Sequence, residues 1–257
     1  MNYLHLSFSI LFCLSASVLS AGPKDIIPSV PQLASAGYKL VFSDEFNGNT
    51  LGLGKWDYRT DSKKASTQLP ANVTIANGIL NLNLKKESAG GKDYTGAGII
   101  SKQAYRFGYY ETRMKTPPGS GWHTSFWMQK HDGSGGTDPR AAAVELDAIE
   151  NDSQSPMAYG VTFHQWNPKP AKEFGGKWMK TPSLSEGFHT IGCEYTEKSV
   201  TYFFDGKPVQ TIDATKIVHG DVNIWLTSIG YPAKNQSIDD TKLPAAAQYD
   251  YVRFFRK

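Results

Sequence analysis

Apolar and polar residues alternate along much of the chain. In Ile79-Leu80-Asn81-Leu82-Asn83-Leu84 the leucines fall on one side and the asparagines on the other, the pattern of a strand with one buried and one wetted face. Short segments rich in Val, Ile, Thr, Tyr and Phe recur between clusters of Gly, Pro, Asn and Asp, which is the spacing of an all-β sandwich or barrel. Apolar residues nowhere keep a helical period, so helix is expected to be scarce. Asn77-Gly78 and Asp205-Gly206 each separate two strand-like runs, and both dipeptides tolerate the positive φ of tight turns, so each predicts a hairpin. Pro208 has no N–H for a ladder and belongs near a sheet edge or strand start. Together these signals predict two packed antiparallel sheets, one of them offering an open face as a binding surface.

One apolar segment carries three acids: Val144-Glu145-Leu146-Asp147-Ala148-Ile149-Glu150. Glu145 and Asp147 share a face of any strand, whereas a regular pleat would turn Glu150 into the core. Burying an ionised carboxylate there is costly, so a β-bulge at Ala148 or Ile149 is expected to return Glu150 to the face of the other two. On a curved sheet the carboxyls of Glu145 and Glu150 can then approach to about 5 Å, the separation at which one attacks a sugar carbon while the other protonates the leaving oxygen. This assigns Glu145 as nucleophile and Glu150 as general acid, then base. Asp147 would orient the nucleophile and help Glu150 keep its proton before attack.

Composition narrows the partners. The 257 residues carry 27 Lys and Arg against 24 Asp and Glu, without a basic block, so nothing marks a nucleic-acid or anionic-lipid surface. Leu4 to Val18 is apolar and is followed by Val18-Leu19-Ser20-Ala21, small residues suited to signal peptidase. Residues 1–20 are therefore expected to be a signal peptide and 21–37 a leader, with one domain over 38–257. The product would be secreted or periplasmic, free of the membrane after cleavage, and monomeric. Removal of Cys13 with the signal leaves Cys193 without an intramolecular partner, and no Cys and His cluster suggests zinc. Trp122 and Trp127 precede the acids and His164 and Trp166 follow them; sugar faces stack on indoles, so these four are the candidates for holding a glycan. Trp56 and Trp225 sit in strand-like apolar stretches and read as structural.

The ordered set Phe42-Ser43-Asp44-Glu45-Phe46, Phe107-Gly108-Tyr109-Tyr110-Glu111, Trp122 to Met128, the acidic strand, Asp205-Gly206-Lys207-Pro208 and Asp250-Tyr251-Val252-Arg253 resembles the family 16 glycoside hydrolases, from Tyr38 to Phe255. The resemblance implies a β-jelly-roll with a concave cleft, retention of configuration, and the roles given above to Glu145, Asp147 and Glu150. Two residues between Asp147 and Glu150 match the bulged branch of laminarinases, agarases and carrageenases; lichenases have one fewer. Laminarinase-like members commonly carry proline and alanine where this chain has His123 and Thr124, which puts plain β-1,3-glucan in doubt and leaves room for a galactan-type chain. His189 matches a position of structural character. The resemblance also implies a structural calcium ion, with Asp250 and Glu45 as the acidic candidates, and no cofactor for catalysis. The expected activity is endo-hydrolysis of a β-1,3-glucan or β-galactan type polysaccharide. A lectin-like sandwich that binds without cutting, and a transglycosylase with the same chemistry, are the alternatives.

Overall fold

The computed structural model describes residues 26–136, 143–232 and 236–257; the expected signal peptide lies outside them. The strands are β1 (Lys39–Asp44), β2 (Trp56–Tyr58), β3 (Ser62–Lys63), β4 (Ser66–Gln68), β5 (Val73–Ala76), β6 (Ile79–Ala89), β7 (Lys92–Ser101), β8 (Gly108–Lys115) and β9 (Trp122–Gln129). They continue with β10 (Val144–Asp152), β11 (Ala158–Gln165), β12 (Lys172–Lys180), β13 (His189–Tyr195), β14 (Ser199–Phe204), β15 (Lys207–Asp213), β16 (Asn223–Gly230) and β17 (Ala245–Arg256).

Two antiparallel sheets account for nearly all of them. One runs β5-β6-β17-β8-β13-β14-β15, with β1 beside the second half of β17. The other runs β2-β7-β16-β9-β10-β11-β12. The β6–β7 hairpin passes from one to the other and carries the small β3–β4 hairpin on its flank. This is the expected all-β sandwich, and among the described residues α-helix is confined to Pro31–Ser35.

Local chemistry explains the turns. Asn77 (φ 54°) and Gly78 (φ 74°) join β5 to β6, and Asp205 (φ 46°) and Gly206 (φ 74°) join β14 to β15, in the positive-φ geometry that matches the twist of paired strands. Pro208 sits on β15, at a register shift beside an edge of its sheet. Leu80, Leu82 and Leu84 are fully buried. Between the sheets Leu80 and Leu82 share one apolar core with Phe126, Met128, Leu146, Phe163, Tyr202 and Phe254, while Leu84 packs in a smaller cluster beside it. Cys193 is buried in that layer as a free thiol, and burial pushes its pKa up.

The expected leader is less detached than its composition suggested. Val30 and Leu33 pack with Tyr38, Tyr109, Phe203 and Phe255 against the outer face of the first sheet. The backbone N–H of Ser29 also donates to the fully buried carboxylate of Glu111, at 2.9 Å. Residues 26–38 therefore belong to the folded body, since they cover apolar surface that the sheet would otherwise expose.

Candidate active site

The acidic strand β10 lies inside the second sheet, between β9 and β11, and its register reveals the irregularity. Against β9, Asp147 pairs with Trp127 but Ile149 pairs with Phe126, so Ala148 has no opposite number. Against β11, Asp147 pairs with Thr162 and Glu150 with Gly160, leaving Val161 to face both Ala148 and Ile149. Ala148 and Ile149 are both buried in the core. Two successive inward residues are what a bulge produces, and the next side chain, Glu150, emerges beside Glu145 and Asp147. The expected bulge is present, at Ala148.

Strand pairing sets the neighbours of each acid. Across β9, Glu145 faces Gln129, Asp147 faces Trp127, Glu150 faces Ser125 and Asp152 faces His123. All eight line one cleft of about 440 Å³. Glu145 Oε2 accepts hydrogen bonds from Gln129 Nε2 and, at 3.2 Å, from Trp166 Nε1. His164, across β11 from Glu145, lies 3.4 Å from Asp147 Oδ2 and 4.0 Å from Glu145 Oε1 and stacks on Trp166 at 5.0 Å. His164 therefore sits against Asp147 and Glu145.

The tryptophans divide by strand parity. Trp127 lines the cleft and rests on the buried Trp225 at 4.7 Å, and Trp166 lines it as well. Trp122 does not. It is fully buried between Leu84 and Ile238, because on β9 the cleft face belongs to His123, Ser125, Trp127 and Gln129. Its expected part in holding sugar is corrected accordingly. Trp56 and Trp225 are core residues, and His189 binds Asp205 at 2.8 Å away from the cleft.

Other residues that line the cleft escaped the sequence reading. Trp178, 59% exposed, lies against Gly160 on the Glu150 side of the cleft. A Cβ added at Gly160 would meet the indole at 3.8 Å, ordinary van der Waals contact. Arg59, Lys63, Lys64 and Tyr231 form part of the wall. Arg59 is held by Asp61 through two hydrogen bonds of 2.7 and 2.9 Å, and Lys64 lies over the Tyr231 ring.

The family model described as Beta-porphyranase A-D, GH16 domain, matches residues 39–257. The chain belongs to glycoside hydrolase family 16. Beta-porphyranase B of Phocaeicola plebeius is 30% identical over 74% of this family 16 chain and 73% of its own length. Glucan endo-1,3-beta-glucosidase A1 of Niallia circulans is 26% identical over 87% of this chain, which spans only 39% of that longer protein. Among solved structures, LamAcat from Zobellia galactanivorans superposes with a TM-score of 0.76 at 22% identity, over 86% of this chain and 99% of that one, a likeness of fold. Membership makes the chain an endo-β-glycosidase of β-linked polysaccharide.

The electrostatics of this family 16 site follow from crowding acids in a dry place. Burial, and then the charge of Glu150, hold the Asp147 carboxyl well above the usual range. Burial, and then the charge of Asp147, push Glu145 up to about 8. Asp147 is 2% exposed, and beyond the 3.4 Å approach of His164 its Oδ2 accepts no hydrogen bond among the described residues, which makes its anion costly. Once Asp147 is neutral its charge no longer acts on Glu145, whose Oε2 has two N–H donors that favour the anion. Three acids this close do not all ionise together, and burial, the first cause of the raised Glu145 carboxyl, remains when Asp147 is neutral.

Asp250 and Glu45 do not fit a calcium site. Both oxygens of Glu45 accept from Arg253, at 3.0 and 2.7 Å, and Asp250 accepts from Arg113 at 2.6 Å. A calcium ion needs six or more oxygens, and two guanidinium groups beside it oppose its charge. Glu145, Asp147 and His164 do bring three ligand-type atoms within 4.8 Å of one another. Those atoms surround the reaction centre expected of this family.

Proposed function

We propose that this chain is an exported, monomeric, retaining endo-β-galactanase in which Glu145 is the nucleophile and Glu150 the acid and base. The observation that carries the reading is the Ala148 bulge, which sets Glu150 on the cleft face with Glu145 and Asp147. In the first step Glu145 attacks the anomeric carbon while Glu150 gives its proton to the glycosidic oxygen, and the bond between them breaks. In the second, the Glu150 carboxylate takes a proton from water, whose oxygen displaces Glu145 from the sugar carbon. Protonated Asp147 keeps charge out of the centre, and Gln129 and Trp166 hold the attacking oxygen of Glu145.

A galactan is favoured over a plain glucan by the porphyranase-type family match and by His123 and Thr124 replacing proline and alanine. Lys64, over the Tyr231 ring, adds a cation to the wall, suited to a chain with anionic substituents, whereas the charge of Arg59 is taken by Asp61. The test is reducing-end release from porphyran, agarose, κ-carrageenan and laminarin by the wild type, Glu145→Gln and Glu150→Gln. Cleavage of a galactan, lowered about a thousandfold in each variant, is expected. Preference for laminarin would overturn the substrate, and activity in either variant above a tenth of wild type would overturn the roles.

A further inference from the structure

Asp152 ends the row of acids on β10, and neither step of the reaction uses it. Its Oδ1 lies 2.8 Å from Nδ1 of His123 on the neighbouring strand. The other ring nitrogen, Nε2, lies 3.3 Å from Oε1 of Glu150. When Glu150 is ionised both nitrogens face a carboxylate, and the ring donates to both only with two N–H groups, that is, as imidazolium. We propose that His123 is a positioning residue for Glu150: anchored on Asp152 as a cation, it fixes that carboxyl and sets how readily it releases and regains a proton.

The inference rests on Glu150 being the acid and base. Once Glu150 has given up its proton it is an anion on a crowded strand beside Asp147 and Asp152, and a cation in contact with it makes that state accessible. The surroundings of His123 are consistent with a charged ring. Asp152 and Glu150 face it from β10, with Asp147 further along the same strand. From β16 it meets uncharged Ile229, and just beyond that strand the edge of Tyr231 at 5.5 Å; Lys64, over Tyr231, is a neighbouring cation. Burial opposes charge on the ring, but the hydrogen bonds and charges of Asp152 and Glu150 outweigh it and push the imidazole up to about 9. Proline, as found here in laminarinase-like members, has no side-chain N–H to offer.

The test is the pH dependence of kcat/KM on the polysaccharide that the panel above identifies, for wild type, His123→Gln and Glu150→Gln. Glutamine keeps one donor but no charge, so the neutral form of Glu150 gains and the alkaline limb moves up by about one unit or more. An unmoved limb in H123Q, with the limb abolished in E150Q, overturns the role of His123 while leaving Glu150 in place. A limb that survives unchanged in E150Q overturns the reading of Glu150 itself. Nitrogen-15 NMR of the unmutated protein is independent of turnover and of how the variants fold. An imidazolium signal for His123 at pH 7.5 is expected, and a neutral ring contradicts the proposal.

Discussion

Gln129 offers a substitution in which stability and catalysis should part company. Its Nε2 donates to Glu145, yet its Oε1 is buried without a partner, and the residue is 1% exposed. Leucine has similar volume, so Gln129→Leu leaves the packing of β9 against β10 intact. Losing a hydrogen bond to a charged group costs about 1.5–3 kcal/mol, and removing an unsatisfied buried carbonyl returns about 1–3 kcal/mol, so folding stability is expected to change little. The nucleophile has no such compensation. Its anion loses one of two donors, which raises its apparent pKa by about 1–2 units at 1.36 kcal/mol per unit. Burial and neighbouring charge already hold that carboxyl high, so the added shift moves the acidic limb of kcat/KM further up. Thermal melting measures the first effect and a pH–rate profile the second. An acidic limb that stays where it is in a normally folded Q129L would refute the assignment of Gln129 as a support of the attacking carboxylate.

Two further predictions follow from strand parity. Trp122→Ala empties a core site and is expected to cost about 3–5 kcal/mol, read as a melting point lower by roughly 10 °C. Trp178→Ala should leave melting unchanged and raise KM about fivefold, through loss of a sugar-stacking surface worth of order 1 kcal/mol; the reverse pattern would mean that the two indoles have been exchanged. Deleting Ala148 yields Glu145-Leu146-Asp147-Ile149-Glu150, a regular alternation that keeps all three acids on one face. The deletant is expected to fold and to retain more activity than Glu150→Gln; a folded deletant no more active than that variant would show that parity is not what the bulge serves.

Much of this could be read in the chain because the relevant rules are local. Asn77-Gly78 and Asp205-Gly206 specify their turns through backbone φ alone, and the Leu80, Leu82, Leu84 alternation specifies a buried face. The bulge was legible too, since two acids five positions apart cannot share one face of an unbroken strand. The same rule, applied to Trp122 and Trp127, separates them, and it also marks His123, Ser125 and Gln129 as companions of Trp127. What stayed hidden is set by contacts distant in sequence. Arg59, Lys63 and Lys64 reach the wall from strands and turns far from the acids in sequence, and Trp178 arrives on β12 in a lysine-rich run without an apolar pattern. Glu45 and Asp250 offered oxygen to a cation, but only the folded register shows that Arg253 and Arg113 take it.

The account turns on Glu145 and Glu150 acting from one face on the same glycosidic bond. Its most direct test is the anomeric configuration of the first product released from a polysaccharide substrate, followed by proton NMR before mutarotation. A β-configured new reducing end, retained from the β-linked substrate, is the expected result; an α-configured one would contradict a double displacement through Glu145.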